Sequence, residues 1–277
     1  MGLSIQTNLA QMVTQDNLRS SNSMLQSTME RLGTGLRINK ASDDAAGLQI
    51  ASRLTAQTRG INVAIRNAQD ATSMLQTADS SLAEITDIAY RMKELATQSA
   101  NDTNSATDRS ALDSEYQELK TEIGRIMQQT KFGGDVLLEG GKLGTGAVVF
   151  QIGESAAEAL SFDASTELGA ITTAYGAAVD VTTQATATAE IAAVDTLIDA
   201  VGTARSKLGA NINRIDFAIN NQTSVAQNTE AAKGRIMDAD FAVESANMSK
   251  NQLLMQSGIS ALAQSKQTGQ LVASLLR

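Results

Sequence analysis

The residues that could do chemistry in this 277-residue chain are few, and each has a simpler reading. Gly140-Gly-Lys-Leu-Gly-Thr-Gly146 has the glycines and the lysine of a phosphate loop. Leu143, however, follows the lysine where such a loop needs Ser or Thr to reach a phosphate-bound magnesium, and no strong helix follows to offer its positive end. The segment reads as a flexible hairpin tip that binds no nucleotide. Asp238 and Asp240 stand two apart, a spacing that splays side chains on a helix instead of converging them for acid–base work. Asn101-Asp-Thr103, Asn221-Gln-Thr223 and Asn247-Met-Ser249 match the three-residue N-glycosylation pattern, which is too short to decide anything. Composition removes most of what remains. With no His and no Cys, Ser-His-Asp triads, thiol nucleophiles and the usual zinc ligands are excluded, and no catalytic, cofactor or metal site is expected.

The charge balance points the same way. A formal net charge of −8 and the absence of any basic run oppose a phosphate-binding surface, so no nucleic-acid partner is expected. The N-terminus has no basic segment leading into an apolar one, and Gln6 stands where a myristoylation site needs Ser or Thr. No stretch approaches the roughly 18 apolar residues of a membrane span, so no membrane insertion is expected. On these grounds alone the chain reads as cytoplasmic. The chain also lacks Pro and Trp and has 3 Tyr and 5 Phe against a hydrophobic fraction of 42%. Its core must be aliphatic and helical.

Apolar spacing supplies the helices. Ile5, Leu9 and Met12, then Leu18, Leu25, Met29 and Leu32, recur at three, four and seven, the seam of an amphipathic helix that Gly33 and Gly35 end. Ser42 is the expected N-cap of the next element, with Asp43 and Asp44 in its first turn near the positive end of the dipole. Leu54, Ile61, Ala68, Leu75 and Leu82 then repeat every seven residues, joined by Ile65, Ile85, Met92 and Leu95. A helix from Asp44 to about Ala100 would be on the order of 85 Å long at 1.5 Å per residue and needs partners along its length. Leu112, Tyr116, Leu119, Ile123 and Ile126 predict one such partner, closed by Gly133 and Gly134. Leu208, Ile212, Ile215 and Ile219 predict the other, from about Ala189 to Gln227. Val148, Phe150 and Ile152 alternate, as do Leu160 and Phe162, and predict a small β-hairpin around the loop Gly153 to Glu158. The Ala- and Thr-rich stretch 169–189 is expected to be an exposed turn or linker.

The apolar ends matter most. Ile5, Leu9, Leu18, Leu25 and Leu32 can pack on Leu254, Ile259, Leu262, Leu271 and Leu275, with Leu276 beside them. Two helices facing each other still leave Met12, Met24, Val272 and Leu276 needing cover, so the surplus surface asks for neighbours beyond the chain.

Four stretches carry a family resemblance. Arg31-Leu-Gly-Thr-Gly-Leu-Arg-Ile-Asn-Lys-Ala-Ser-Asp-Asp-Ala-Ala-Gly-Leu-Gln-Ile-Ala-Ser-Arg-Leu54 resembles the N-terminal signature of bacterial flagellins. Arg235-Ile-Met-Asp-Ala-Asp-Phe241, Ser249-Lys-Asn-Gln-Leu-Leu-Met-Gln-Ser-Gly258 and Ser274-Leu-Leu-Arg277 resemble its C-terminal counterpart, in the family's order. The likeness covers roughly residues 1–162 and 190–277. It implies a mainly α fold: a long antiparallel helical bundle or coiled coil with a small β-hairpin region and paired terminal helices. It also implies a core domain from 1–40 with 235–277, and a rod domain from 41–234 without the large outer domains that many flagellins insert near 169–189.

The function implied is structural. The resemblance makes the chain a subunit that self-assembles into the helical flagellar filament for swimming, secreted by type III export without a cleaved signal and located outside the cell. Implied partners are other copies of itself, an export chaperone, the filament cap and hook-associated proteins. Alternatives are a hook–filament junction protein of the same family and, more remotely, a coiled-coil signalling rod, which would need a membrane or adaptor segment. Arg91-Met-Lys-Glu-Leu-Ala-Thr-Gln98 resembles the helix recognised by the Toll-like flagellin receptor of animals. That likeness implies innate immune recognition through Arg91, Leu95 and Glu115, although Leu95 also continues the heptad seam. Tyr90 and Lys93 depart from the family's usual Gln and Arg.

Overall fold

The computed structural model describes residues 9–275, with side chains through Gln267. Six helices and two hairpins follow in order: α1 (Leu9–Thr34), α2 (Ala45–Ser99), α3 (Ala106–Gln129), β1 (Lys131–Phe132), β2 (Asp135–Val136), β3 (Val148–Gln151), β4 (Ala159–Phe162), α4 (Ser165–Ala177), α5 (Gln184–Met237) and α6 (Phe241–Leu275). They fall into two compact units, residues 1–56 with 228–277, and residues 57–227. The boundary expected near 40 lies at the break between α1 and α2 and the one near 235 in the last turn of α5, whereas these units divide farther inside α2 and α5.

In the unit 57–227, α2 carries a 3.5-residue repeat. Ile61, Ala64, Ala68, Ala71, Leu75, Ala78, Leu82, Ile85, Ala89, Met92 and Ala96 are all buried at alternating steps of three and four, the spacing that keeps one seam facing its neighbours. Ser99 continues the series and is buried too, its hydroxyl donating to the Val181 carbonyl. The alanines let helices approach closely, and α5 runs antiparallel to α2: Asp79 meets Arg205 at 2.9 Å and Asp195 meets Lys93 at 2.5 Å. Arg91 to Glu115 and Ser81 to Thr130 set α3 antiparallel to α2 as well. Leu208 and Ile215 of α5 join Tyr116, Ile123 and Met127 of α3 in the same core.

Local starts and stops differ from expectation in two places, the cap of α2 and the end of α3. Asp44, not Ser42, caps α2: its carboxylate accepts from the Gly47 N–H at 2.8 Å, while the Asp43 carboxylate is taken up by the Asn39 and Lys40 N–H groups at 3.0 Å. Those two donors hold Asp43 below the usual carboxylate range. A Cβ at Gly47 would lie 2.5 Å from the Asp44 carboxylate and 2.8 Å from Ile38 Cδ1, so a larger residue there would push the cap or Ile38 aside. Helix α3 begins at a capping box between Ser105 and Asp108, six residues before the first apolar signal. It ends before Thr130, so Gly133 and Gly134 do not close it. With φ of 62° and 96° they turn the β1–β2 hairpin, since a two-residue loop of matching twist needs positive φ at both positions.

The expected β-hairpin forms as β3–β4, with Val148 opposite Phe162 and Phe150 opposite Leu160. Leu160 and Phe162 face the core. The linker expected over 169–189 is replaced by α4 and the first turn of α5, with Ile171, Ala178, Val181 and Ala187 buried. A buried polar clamp orders it. The Glu190 carboxylate accepts from the Tyr116 hydroxyl at 2.7 Å and the Val179 N–H at 2.8 Å. Asp113 accepts from the Val181 N–H at 2.9 Å, and the Lys120 ammonium donates to the Ala178 carbonyl.

Burial, and then the hydrogen bond to Glu190, push the Tyr116 phenol far above its ordinary value. Tyr175, also desolvated and bonded to Glu139, is pushed up to about 12. Unfolded tyrosine loses its proton near pH 10, while the native state still holds it, so stability falls as pH rises above that value. Urea unfolding between pH 10 and 11 should therefore show a steeper loss in the wild-type chain than in Tyr116→Phe, by up to ~1.4 kcal/mol per pH unit. Equal slopes would count against the buried phenol.

Candidate assembly surfaces

The terminal pair is built in the unit 1–56 with 228–277. Helix α1 ends after Thr34, where the Gly35 N–H reaches the Arg31 carbonyl at 2.8 Å. The chain returns beside the entry to α6: the Arg37 N–H donates to the Met237 carbonyl at 2.6 Å, and Leu36 forms a single antiparallel bridge with Asp238. Asp240 caps α6, accepting from the Ala242 and Val243 N–H groups at 2.9 and 3.2 Å. The two aspartates are thus connector and cap, neither convergent nor on a helix.

Helices α1 and α6 pack antiparallel. Arg31 meets Glu244 at 3.3 Å, and Leu18 lies where a Cβ on Gly258 would be 3.2 Å from its Cδ1. The shared face is narrow. On α1 it buries Ser21, Leu25 and Thr28, and on α6 Glu244 and Asn251. Among the described seam residues only Leu25 is buried; Leu18, Leu32 and Leu262 are half-buried. Leu9 is 73% exposed, Leu254 45% and Ile259 56%, so these three are at most partly covered in the single chain. Met12, Val13, Met24 and Leu253 are open as well. Ile5 and Leu276 lie outside the described residues, as do the side chains of Leu271 and Leu275. The seam is polar in part, and two of its buried polar groups have partners: Thr28 donates to the Met24 carbonyl at 2.9 Å, and Glu244 takes Arg31 at 3.3 Å. The seven-residue step from Glu244 to Asn251 was the available signal for it.

A further exposed apolar residue escaped sequence reasoning. Phe217 is 75% exposed on α5, two positions past the buried Ile215 and so off the Leu208–Ile215 seam. Its mismatch with that register was the clue.

Of the three residues carried over for receptor contact, the structure brings two together. Arg91 reaches Glu115 through Nη2 at 2.7 Å and Nε at 2.9 Å, and Glu94 through Nη1 at 3.1 Å. Both Arg91 and Glu115 side chains are about half exposed. Leu95 has no exposed surface and lies in the core beside the α2 seam. The loop 140–146 is likewise not a flexible tip. Leu143 is 1% exposed, its N–H donates to the Leu137 carbonyl at 2.9 Å, and Lys142 pairs with Asp135 at 2.7 Å. Among the described residues no group of three or more acidic or metal-ligating side chains could hold a metal ion, and no helix is long and apolar enough to cross a membrane.

The comparisons with known proteins agree with this arrangement of two helical ends. Residues 5–142 match the model of the bacterial flagellin N-terminal helical region, and residues 191–276 match that of the bacterial flagellin C-terminal helical region. The chain is 40% identical over 274 residues to a flagellin of Halalkalibacterium halodurans, covering 99% of each protein. It is 37% identical over 290 aligned positions to the flagellar filament 33 kDa core protein of Treponema phagedenis, again covering 99% of each. Among solved structures, a putative flagellar hook-associated protein from Vibrio parahaemolyticus superposes with a TM-score of 0.57 at 14% identity, over 71% of this chain and 100% of that one, a likeness of fold alone. Two family models covering most of the chain, and relatives of matching length, settle its place: it belongs to the bacterial flagellin family.

Proposed function

We infer that the chain is a structural subunit of the helical flagellar filament, polymerising with other copies of itself outside the cell. It is not an enzyme. The observation that carries this reading is the narrow α1–α6 face, which leaves Leu9, Met12, Val13, Leu253, Leu254 and Ile259 open to solvent on a folded pair. A contact between different faces of identical subunits, repeated without closing, builds a helical polymer and needs no catalytic group. Covering those side chains with neighbouring copies would remove their apolar surface from water, at about 25 cal/mol per Å² buried. Electron microscopy of purified subunits added to filament seeds tests it: long unbroken filaments are expected, while growth that stops after a few subunits favours a hook–filament junction protein.

Family membership supports the finer partners. An export chaperone would cover the same open stripes before assembly, type III export would carry the chain out, and the cap and hook-associated proteins would contact filament ends. The division into a terminal core, 1–40 with 235–277, and a rod, 41–234, is proposed on the same basis.

For the animal Toll-like receptor, the geometry favours a contact through Arg91 and Glu115, with Leu95 confined to holding α2 in the core. Glu115 and Glu94 hold the guanidinium in place and keep it charged, so it is presented to a partner in one orientation. Arg91→Ala should weaken binding of monomer by about 1–3 kcal/mol, the range for truncating an interfacial arginine. Titration of the receptor ectodomain with wild-type and variant monomer decides it; unchanged affinity removes Arg91 from the site.

A further inference from the structure

The chain holds ten methionines and neither Cys nor Trp, so thioethers are its most readily oxidised groups. Their burial divides them. Met92 and Met127 have no exposed surface and Met74 is 6% exposed, all in the core of residues 57–227. Met12, Met24 and Met29 are 55%, 48% and 48% exposed, and all three lie on α1. Met237, Met248 and Met255 are intermediate. Among the described residues the exposed methionines are therefore confined to one helix, and Met12 shares its open surface with Leu9 and Val13.

We propose that Met12, Met24 and Met29 are three separate peroxide-responsive modification sites along α1, through which oxidation of free subunits withholds them from the polymer while their folded interior is spared. The thioether sulfur attacks one oxygen of the peroxide; the O–O bond breaks, an S–O bond forms, and water leaves. Sulfur is oxidised by two electrons and the peroxide is reduced by two. A methionine sulfoxide reductase reverses the step, the oxygen leaving as water while two of the enzyme's thiols close to a disulfide. The sulfoxide replaces an adaptable apolar side chain with a strong dipole, which a covered apolar surface cannot hydrogen-bond. Once a subunit is in the polymer its sulfurs are covered and react slowly. The consequence for growth rests on the filament reading, whereas the order in which the methionines react does not.

The test treats wild-type monomer with hydrogen peroxide for graded times and maps each methionine by peptide mass. Met12, Met24 and Met29 should oxidise about tenfold or more faster than Met92 and Met127, as exposure of the sulfur requires. Seeded elongation by the same samples should fall by about tenfold or more once all three are oxidised, and reductase treatment should restore it. The variant carrying Met12→Leu, Met24→Leu and Met29→Leu should elongate before and after peroxide alike. Equal oxidation rates at exposed and buried methionines overturn the sites. Full oxidation without loss of elongation, or equal peroxide sensitivity in the triple variant, overturns their role. If the triple variant fails to assemble at all, the reductase arm decides: subunits restored by mass but not in elongation refute the proposal. Failure of unoxidised wild-type monomer to elongate refutes the filament reading instead, and the order of oxidation still decides the sites.

Discussion

Replacing Leu254 and Ile259 together with Asp should abolish filament growth and leave the monomer's helicity unchanged. Both side chains are about half exposed in the single chain, so the carboxylates remain in water until a neighbour arrives, and surface changes of that kind usually move stability by no more than about 0.5 kcal/mol. In a covered apolar contact each carboxylate must either keep water in the interface or take up a proton, at a cost of several kcal/mol. With tenfold in equilibrium constant for every ~1.4 kcal/mol, the concentration needed for growth should rise by roughly three orders of magnitude or more. Sedimentation after seeding measures the polymer, and circular dichroism checks the monomer. Filaments at the wild-type threshold would remove this face of α6 from the assembly surface.

Glu190→Leu should destabilise the monomer by about 1–3 kcal/mol, because it leaves the buried Tyr116 hydroxyl without an acceptor and also removes the acceptor of the partly buried Val179 N–H. Against a typical domain stability of about 5–15 kcal/mol, that is a large share. Glu190→Gln keeps one carbonyl oxygen and should be milder. Adding Tyr116→Phe to Glu190→Leu removes one of the orphaned donors and should recover part of the loss, since replacing both partners by apolar groups is far less costly than removing one. Urea unfolding of wild type, Glu190→Leu, Tyr116→Phe and the double variant gives the cycle. A change under about 1 kcal/mol for Glu190→Leu would show that water reaches the clamp; no recovery in the double variant would show that the two groups act independently.

The clamp illustrates what was not legible in advance. Tyr116 stands in the α3 seam by its spacing, which marks it as core, and it is buried. Glu190 carried no periodic signal, and a carboxylate in an Ala- and Thr-rich stretch reads as solvated until the tertiary structure supplies its two donors. For the same reason 169–189 resembled a linker: apolar residues as sparse as Leu168, Ile171 and Val181 do not announce a face. The assembly surface was legible as a stripe but not as a division of that stripe. Leu25 and Leu254 are equal by spacing, yet one is buried and the other open, because only the angle at which α1 meets α6 chooses which side of each helix is covered. Arg91 and Glu115 lie 24 positions apart, and their ion pair exists because α3 doubles back along α2.

By itself, the order of residues determined the helical character of the chain, the long heptad seam of α2, the β3–β4 hairpin, the two matched ends and the exclusion of His- and Cys-dependent chemistry. Each of these is local, being a matter of residue type or of period along one element. Only the tertiary structure decided which carboxylate caps α2, that Gly133 and Gly134 turn a hairpin instead of ending a helix, that Leu95 is sealed in the core, and which of the terminal leucines and methionines remain exposed. Those outcomes depend on groups far apart in the chain meeting at hydrogen-bond or van der Waals distance, and periodicity along a single helix carries no information about the rotation of its neighbour.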